Sequence, residues 1–200
     1  MPTKTFFNLP KEKRLRILKA GKKEFSRVPL EKAVIANIAK GADIPRGSFY
    51  QYFLSLEDLF TYIIDYRYGL SKRKFERYLE ENNNDIYKAL KVKFANEIDK
   101  LQKEENRQFR LNTIYILFNE KKEYPKEFVN YIFNKSSHLD VEFFPEEYQK
   151  KEKFSDVVKL IKMVGDNCVQ QYLTSEITEE EAKEEYNKYI DILKLGYNKL

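Results

Sequence analysis

The sequence predicts an all-α protein, with an N-terminal three-helix region that contains a helix-turn-helix and a larger helical region after it. Two observations predict the helices. Only six glycines and six prolines interrupt the 200 residues, which is too few for the many turns of an all-β fold. Apolar residues also recur at spacings of three and four along most of the chain, as they do on one face of a helix.

The composition is that of a globular protein. Hydrophobic residues make up 42% of the chain and charged residues 34%, a balance that supports a buried core and not disorder. The single cysteine cannot form an intramolecular disulfide, and no apolar stretch is long enough for a signal peptide or a membrane span. We therefore expect a cytoplasmic protein that does not associate with membranes.

Positive charge is concentrated at the N-terminal end. Residues 1–50 carry twelve lysines and arginines against four acids, a net charge of +8, whereas the other 150 residues have a net charge of −3. A basic end on a nearly neutral body suggests that this end binds a polyanion. A solvated lysine-rich surface would give the same count.

The N-terminal region contains three predicted helices, of which the third is short. The first begins at Pro10 and ends near Ser26, and the second covers residues 31–40. We expect Gly41 to end the second helix in the left-handed conformation. A proline at the first helical position then begins a third helix over residues 45–52.

The larger region contains the remaining predicted helices. Ser55 is a suitable N-cap for a fourth helix that ends near Glu80, just before three asparagines. Thr178 and Glu181 have the spacing of a capping box at the start of the last helix. Helices are predicted over residues 85–105, 107–121, 125–134, 154–173 and 178–200, with an irregular segment over residues 135–150.

Residues 38–52 have the pattern of a helix-turn-helix. Two helices that cross at a steep angle need a small residue at the crossing, and Ala39 supplies it. The second of these helices can then lay its N-terminal end in the major groove of DNA. The side chains expected to lock the helices together are Ile38, Ala42, Ile44, Phe49 and Tyr52.

The residues around this motif resemble the tetracycline-repressor (TetR) family. The likeness covers about residues 10–62, and the residues that carry it are Ile17-Leu18, Ala20 and Phe25 in the first helix, then Ile38-Ala39, Ser48-Phe49-Tyr50 and the stretch from Phe53 to Leu59. It implies a sequence-specific DNA-binding transcriptional regulator, a repressor released by a small, largely apolar ligand. The implied partners are double-stranded DNA with a palindromic operator, an unknown small-molecule effector and a second copy of the chain.

Three positions depart from the family pattern. Asp43 stands where the family usually has a turn glycine, and aspartate tolerates the left-handed conformation better than most residues. Val34 replaces a usual threonine or serine, and Leu56 replaces a usual lysine. The last two changes each remove an expected phosphate contact.

Seven residues are expected to contact DNA. Arg46 can pair with O6 and N7 of guanine, and Gly47 lets the backbone approach closely. By resemblance, Tyr50 contacts a backbone phosphate. For each residue the alternative is an exposed or packing side chain without a role in binding. The full set is Lys40, Arg46, Gly47, Ser48, Tyr50, Gln51 and Tyr52.

The resemblance also implies two sites in the larger region, which gives predicted domains at residues 1–54 for DNA binding and 55–200 for effector binding and dimerisation. The alternatives are an aromatic core and burial of the last two helices within one subunit. The expected effector-binding residues are Tyr62, Tyr66, Phe94, Ile98, Tyr115, Phe118 and Tyr131. The expected dimer interface comprises Val157, Ile161, Val164, Gly165, Cys168, Tyr172, Tyr186, Tyr189, Ile190, Leu193 and Tyr197.

Catalytic, metal and cofactor chemistry have no support in the sequence. The chain contains one histidine and one cysteine, and it has no CxxC, HExxH, P-loop or dinucleotide-type glycine pattern. We therefore expect neither an enzyme nor a cofactor. Two further hypotheses remain: a helical homodimeric interaction module with weakened or lost DNA binding, and a small-molecule carrier.

Overall fold

The predicted all-α fold is confirmed by a computed structural model, which describes residues 1–118, 124–136 and 139–197. The described residues form α-helices joined by turns and three short 3₁₀ turns. The helices are α1 Lys4–Phe7, α2 Lys11–Arg27, α3 Ile35–Ala42, α4 Phe49–Tyr52, α5 Leu56–Glu81, α6 Ile86–Leu101, α7 Glu104–Phe118, α8 Lys126–Ser136, α9 Glu146–Gln149, α10 Phe154–Leu173 and α11 Glu179–Tyr197. The 3₁₀ turns are Leu30–Lys32, Arg46–Ser48 and Val141–Phe143.

The chain divides into two compact units. The first unit contains residues 1–67 and 104–136, and the second contains residues 68–103 and 137–200. The first unit is therefore larger than the predicted DNA-binding domain, because it also includes the first half of α5 together with α7 and α8. The boundary between residues 54 and 55 stays a prediction.

The core of the first unit holds the helix-turn-helix in place. All five side chains expected to lock the helices together are buried, with exposed fractions of 8% or less. Helix α2 approaches α5 closely at Gly21, where an added Cβ would lie 2.8 Å from Cδ2 of Leu59. The aromatic residues continue the core, since the rings of Phe25 and Phe60 meet edge to face with their centroids 5.2 Å apart.

The second predicted helix begins later than expected. Residues 30–32 form a 3₁₀ turn, Ala33 and Val34 are extended, and α3 begins only at Ile35. Gly41 does not end this helix, which corrects the expectation from the sequence. Asp43 ends it instead, in the left-handed conformation (φ 55°, ψ 55°), and its N–H donates to the carbonyl of Lys40. Aspartate thus takes the place of a turn glycine, as predicted.

The second unit is built mainly from α6, α10 and α11. The ring of Phe94 in α6 stacks on that of Tyr186 in α11, with centroids 3.9 Å apart. Helix α10 has the predicted limits. The predicted capping box of α11 is confirmed, because the N–H of Glu181 donates to Thr178 Oγ1 (3.2 Å) and the N–H of Thr178 donates to Glu181 Oε2 (2.7 Å).

The segment predicted to be irregular contains two short ordered elements, the 3₁₀ turn Val141–Phe143 and helix α9. The hydroxyl of Tyr68 in α5 donates to Glu142 Oε1 (2.6 Å), and its ring meets that of Phe143 edge to face. Among the described helices, none is both long enough and apolar enough to cross a membrane.

Candidate nucleic-acid interface

The second half of the helix-turn-helix is the segment Arg46–Tyr52, called here the recognition element. It consists of the 3₁₀ turn Arg46–Ser48 followed without a break by α4. Pro45 fixes φ near −58° just before it, and the N–H of Ser48 donates to the carbonyl of Pro45 (2.9 Å). The chain leaves the element at Phe53, which is extended, so the recognition element is only seven residues long.

The recognition element has an exposed edge and a buried back. Arg46, Gly47, Tyr50 and Gln51 are exposed, and Ser48 is half-buried. More than half of the Tyr50 side chain, 55%, is accessible. Phe49 on the opposite side is fully buried. Six of the seven expected DNA-contacting residues, these five and the exposed Lys40 at the end of α3, are therefore accessible to a ligand.

Tyr52 differs from the other six expected contacts. Its side chain is only 4% exposed, and its ring centroid lies 6.4 Å from that of Phe6 in an edge-to-face arrangement. A ring buried in this way has little surface to offer to a phosphate. We therefore assign Tyr52 to the core that supports the recognition element.

The cationic groups of this edge carry no ion pair within residues 1–118, 124–136 and 139–197. Neither Lys40 nor Arg46 forms an ion pair with any residue that the structure describes. Gly47 is equally open, since an added Cβ would meet no atom within 4 Å. Packing therefore does not require a glycine at this position, and the space in front of it is free for another molecule. Val34, where the family pattern has a hydroxyl, is 45% exposed.

A buried carboxylate holds the start of α3 against the end of α2. Glu24 is only 4% exposed, and Arg27 donates to it twice, from Nη2 at 2.7 Å and from Nε at 2.9 Å. The backbone N–H of Val34 donates to Oε1 at 2.9 Å, and Nδ2 of Asn37 donates at 3.1 Å. Burial by itself raises the pKa of Glu24, but the hydrogen bonds from Arg27, Val34 and Asn37 outweigh burial and hold the pKa below its usual value.

Glu24 was not among the residues singled out from the sequence. A signal for it exists, because Ile17, Gly21 and Glu24 follow one another at spacings of four and three on the buried face of α2. An acid on an apolar helix face is costly unless it is paired. Such a position indicates a carboxylate that receives hydrogen bonds from elsewhere in the chain.

The seven expected effector-binding residues are divided between the two units. Phe94 and Ile98 are buried in the second unit, whereas the other five belong to the first. In the first unit Tyr62, Tyr66 and Tyr131 are half-buried, while Tyr115 and Phe118 are exposed, by 39% and 73%. Burial and a hydrogen bond with Asp65 raise the pKa of Tyr131. The structure thus does not gather all seven around one cavity within either unit.

A small cavity lies inside the second unit. Its free volume is ≈ 20 Å³, and it is bordered by Phe94, Ile161, Gly165 and Tyr186 together with the Lys93–Glu97 ion pair. A volume of this size holds about one water molecule. A ligand larger than water does not fit within this free volume.

The expected dimer residues fall into two groups. Val157, Ile161, Cys168, Tyr186 and Ile190 are buried within the chain itself, with exposed fractions of 8% or less. Gly165 allows a close approach within the chain, since its added Cβ would lie 3.4 Å from Cε2 of Tyr186. Val164, Tyr172, Tyr189 and Leu193 are half-buried, and the side chain of Tyr197 lies outside the described residues.

Four other apolar residues of α10 and α11 are exposed, and the sequence pattern did not single them out. Leu160 and Met163 are 46% and 66% exposed, and Ile192 and Leu195 are 54% and 66% exposed. Each pair has a spacing of three, which places its two members on one face of their helix. Exposed apolar side chains paired on one helix face are typical of an interaction surface.

No cluster of three or more histidine, cysteine, aspartate or glutamate side chains that could hold a metal ion occurs among the described residues.

Known proteins match the chain in two ways. Residues 17–63 match the profile of the family described as bacterial regulatory proteins, tetR family. No curated protein matches the sequence.

Solved structures give the second kind of match. A TetR transcriptional regulator from Rhodococcus sp. RHA1 is 14% identical, with a TM-score of 0.63, and the alignment covers 92% of this chain and 96% of that one. NemR of E. coli in its reduced form is 12% identical with a TM-score of 0.69, covering 91% and 97%. FadR of Bacillus subtilis in complex with stearoyl-CoA is 16% identical with a TM-score of 0.62, covering 90% and 96%. At these identities the likeness shows a shared fold along nearly the whole chain.

Proposed function

Because the chain belongs to the TetR family of bacterial regulatory proteins and is a DNA-binding transcriptional regulator, we propose that it is a cytoplasmic repressor that binds a palindromic operator as a homodimer and is released by a small, largely apolar ligand. The observation that carries the DNA-reading part of this proposal is the exposed edge of the recognition element. Its side chains face outward from a helix whose back is fully packed.

The exposed edge supports a division of roles among its residues. Arg46 lies at the start of the element, where a side chain reaches base edges in the major groove, and its guanidinium suits the paired acceptors of guanine. Gly47 leaves room for DNA to come close. Tyr50 and Lys40 are placed in our proposal on backbone phosphates, which fix the register without reading sequence. Ser48 and Gln51 can hydrogen-bond either to bases or to phosphates.

Selection from random duplex DNA tests this function directly. We expect the purified protein to enrich a palindrome whose half-sites lie roughly one helical turn, about 34 Å, apart. Titration of the enriched duplex by fluorescence anisotropy should show affinity that falls steeply with salt, since phosphate contacts release counterions. If no sequence is enriched and binding is weak at every salt concentration, the chain is instead a homodimeric interaction module in which Val34 and Leu56 have removed phosphate contacts.

For the homodimer, we propose that the surface formed by Leu160, Met163, Ile192 and Leu195 is covered by its counterpart in the second subunit. A two-fold interface brings the same patch of both subunits together, so an apolar patch covers itself. The half-buried Val164 and Tyr189, which belong to the expected interface, lie on the same two helices. A dimer also supplies two recognition elements, which a palindrome requires.

The double substitution Met163→Glu and Ile192→Glu should dissociate the dimer. Each change buries an uncompensated carboxylate, and two-fold symmetry repeats it, so we expect the dimer dissociation constant to rise by at least ~100-fold. Sedimentation equilibrium measures this constant. The control is Phe133→Glu, which places the same charge on a residue of the first unit that is 58% exposed. A double variant that stays as dimeric as the control would contradict the proposed interface.

The proposed effector is a small, largely apolar molecule that binds in the helical body. The aromatic and aliphatic side chains there suit such a ligand, and the bound stearoyl-CoA of the FadR structure has a long apolar chain. Because the cavity bordered by Phe94 and Tyr186 has a free volume of only ≈ 20 Å³, we propose that the ligand binds preferentially to a more open arrangement of these helices. This difference in affinity between two conformations is what would lower the affinity for the operator.

A further inference from the structure

The recognition element ends at carbonyl groups that its own helix cannot satisfy. The last carbonyls of any helix have no N–H partner further along it, and here the chain turns extended at Phe53 immediately after Tyr52. Thr3 supplies two donors instead. Its N–H donates to the carbonyl of Tyr52 (2.9 Å), and its Oγ1 hydroxyl donates to the carbonyl of Gln51 (2.6 Å).

Thr3 belongs to a short folded segment, Thr3–Leu9, called here the N-terminal strap. Its one-turn helix α1 is capped by Thr3, whose carbonyl and Oγ1 both accept from the N–H of Phe6 (3.1 and 3.4 Å). The N–H of Leu9 donates to the carbonyl of Phe6 and closes the segment (3.2 Å). Residues 3–9 lie outside the segment 17–63 that matches the family profile.

The N-terminal strap is anchored by an aromatic side chain. Phe6 is fully buried, and its ring centroid lies 4.9 Å from that of Phe53 and 5.2 Å from that of Tyr62 in α5. Phe53 is the residue that ends the recognition element, and Tyr62 belongs to the helix that follows. One side chain of the strap therefore fixes both the end of the recognition element and the helix behind it.

We propose that the N-terminal strap positions the recognition element for DNA reading, with Thr3 holding its C-terminal turn and Phe6 its core. A seven-residue element with a costly nucleus is not stable by itself, and side chains that recognise a ligand must be held to within about half an ångström. The inference rests on the DNA-binding role, but the geometry that supports it lies outside the helix-turn-helix itself. Operator recognition thus depends on residues outside the exposed edge of the recognition element.

The substitution Thr3→Val tests this proposal with little change of shape. It removes the hydroxyl that donates to Gln51 and accepts from the N–H of Phe6. It keeps the backbone N–H that donates to Tyr52 and the carbonyl that also accepts from Phe6. We expect affinity for the selected operator to fall about three- to tenfold for each subunit of the dimer, the range for one lost hydrogen bond. Binding to a random duplex, which is driven by phosphates, should change less than twofold. Thr3→Ser keeps the hydroxyl and should restore operator affinity.

Thr5→Val is the matched control, because Thr5 lies in the same strap and is exposed. Anisotropy titrations of full-length wild type and the three variants give the ratio of specific to non-specific affinity. A ratio for Thr3→Val equal to that for Thr5→Val would overturn the proposal. A ratio that falls in Thr3→Val and recovers in Thr3→Ser would support it, and a merely structural role would lower thermal stability without changing the ratio.

Hydrogen exchange without DNA separates failure of the strap from failure of the DNA-binding role. In Thr3→Val the amides of residues 49–53 should exchange at least threefold faster than in wild type, because local opening of the last turn becomes easier. Unchanged exchange at these amides would overturn the positioning role. Faster exchange in a protein that selects no operator would support the strap and reject the DNA-binding function.

Discussion

Replacing Glu24 with alanine should lower the free energy of unfolding by about 2–4 kcal/mol, the cost of removing one partner from a buried charged network. The change leaves the N–H of Val34 and one amide hydrogen of Asn37 without the acceptor they have in the wild type. Arg27 is 53% exposed and recovers part of its loss by hydration. Because Glu24 fixes where α3 begins, operator affinity should fall together with stability.

Urea denaturation monitored by circular dichroism measures this change. Glu12→Ala is the matched control, since Glu12 lies on the same helix and is exposed, and its effect should stay within about 0.5 kcal/mol. Glu24→Gln should be intermediate, because the amide oxygen still accepts one hydrogen bond but the charge that pairs with Arg27 is lost. Equal unfolding free energies for the Glu24 and Glu12 alanine variants would contradict the role assigned to this carboxylate.

The same residue makes stability depend on pH. The folded pKa of Glu24 is held below its unfolded value, so ionised Glu24 favours the folded state. Its contribution is fully present above the unfolded pKa, about 4.3, and is lost as pH falls through the folded pKa. The difference in unfolding free energy between wild type and Glu24→Gln should therefore be constant between pH 7 and about pH 5.5 and shrink below about pH 4.3. A difference in unfolding free energy that grew on acidification would contradict the lowered folded-state pKa of Glu24.

Local patterns predicted some parts of the fold well. The limits of α10 and the capping box of Thr178 and Glu181 depend on residues close together in the chain, so the sequence indicates them directly. The left-handed turn at Asp43 follows from the family resemblance, whereas the local pattern places it at Gly41. The sequence does not indicate the delayed start of α3, because this start depends on a hydrogen bond from Val34 to Glu24, ten residues earlier. The N-terminal strap is hidden for the same reason, since its contacts reach residues 51–62.

The candidate sites show a similar division. Helical spacing identified apolar positions on α10 and α11 but could not tell which of them pack inside the chain. Ile161 and Ile190 are buried, whereas Met163 and Ile192, two positions away from each, are exposed. The exposed edge of the recognition element was easier to predict, because the core positions Phe49 and Tyr52 are three residues apart and leave Tyr50 and Gln51 between them on the surface. Tyr52 was expected both to lock the helices together and to contact DNA, and its burial against Phe6 supports only the first role.

Replacing Arg46 with alanine should reduce operator affinity more than any other single change at the exposed edge of the recognition element. A bidentate contact between arginine and guanine contributes about 1–3 kcal/mol of discrimination. A dimer on a palindrome makes the contact twice, so the loss should be about 30-fold to 10⁴-fold at tenfold per 1.4 kcal/mol. Stability should not change, because the side chain is exposed and forms no ion pair with the described residues.

Lys40→Ala is the comparison variant, because it separates the loss of a phosphate contact from the loss of a base contact. Loss of a phosphate contact should weaken binding to all sequences alike and reduce the slope of log affinity against log salt by about two for the dimer, one per subunit. Arg46→Ala should instead relax the preference at one base pair of each half-site, which a second round of selection with the variant would reveal. If both variants weakened all duplexes equally, Arg46 would be a phosphate contact, and base reading would have to be assigned to Ser48 or Gln51.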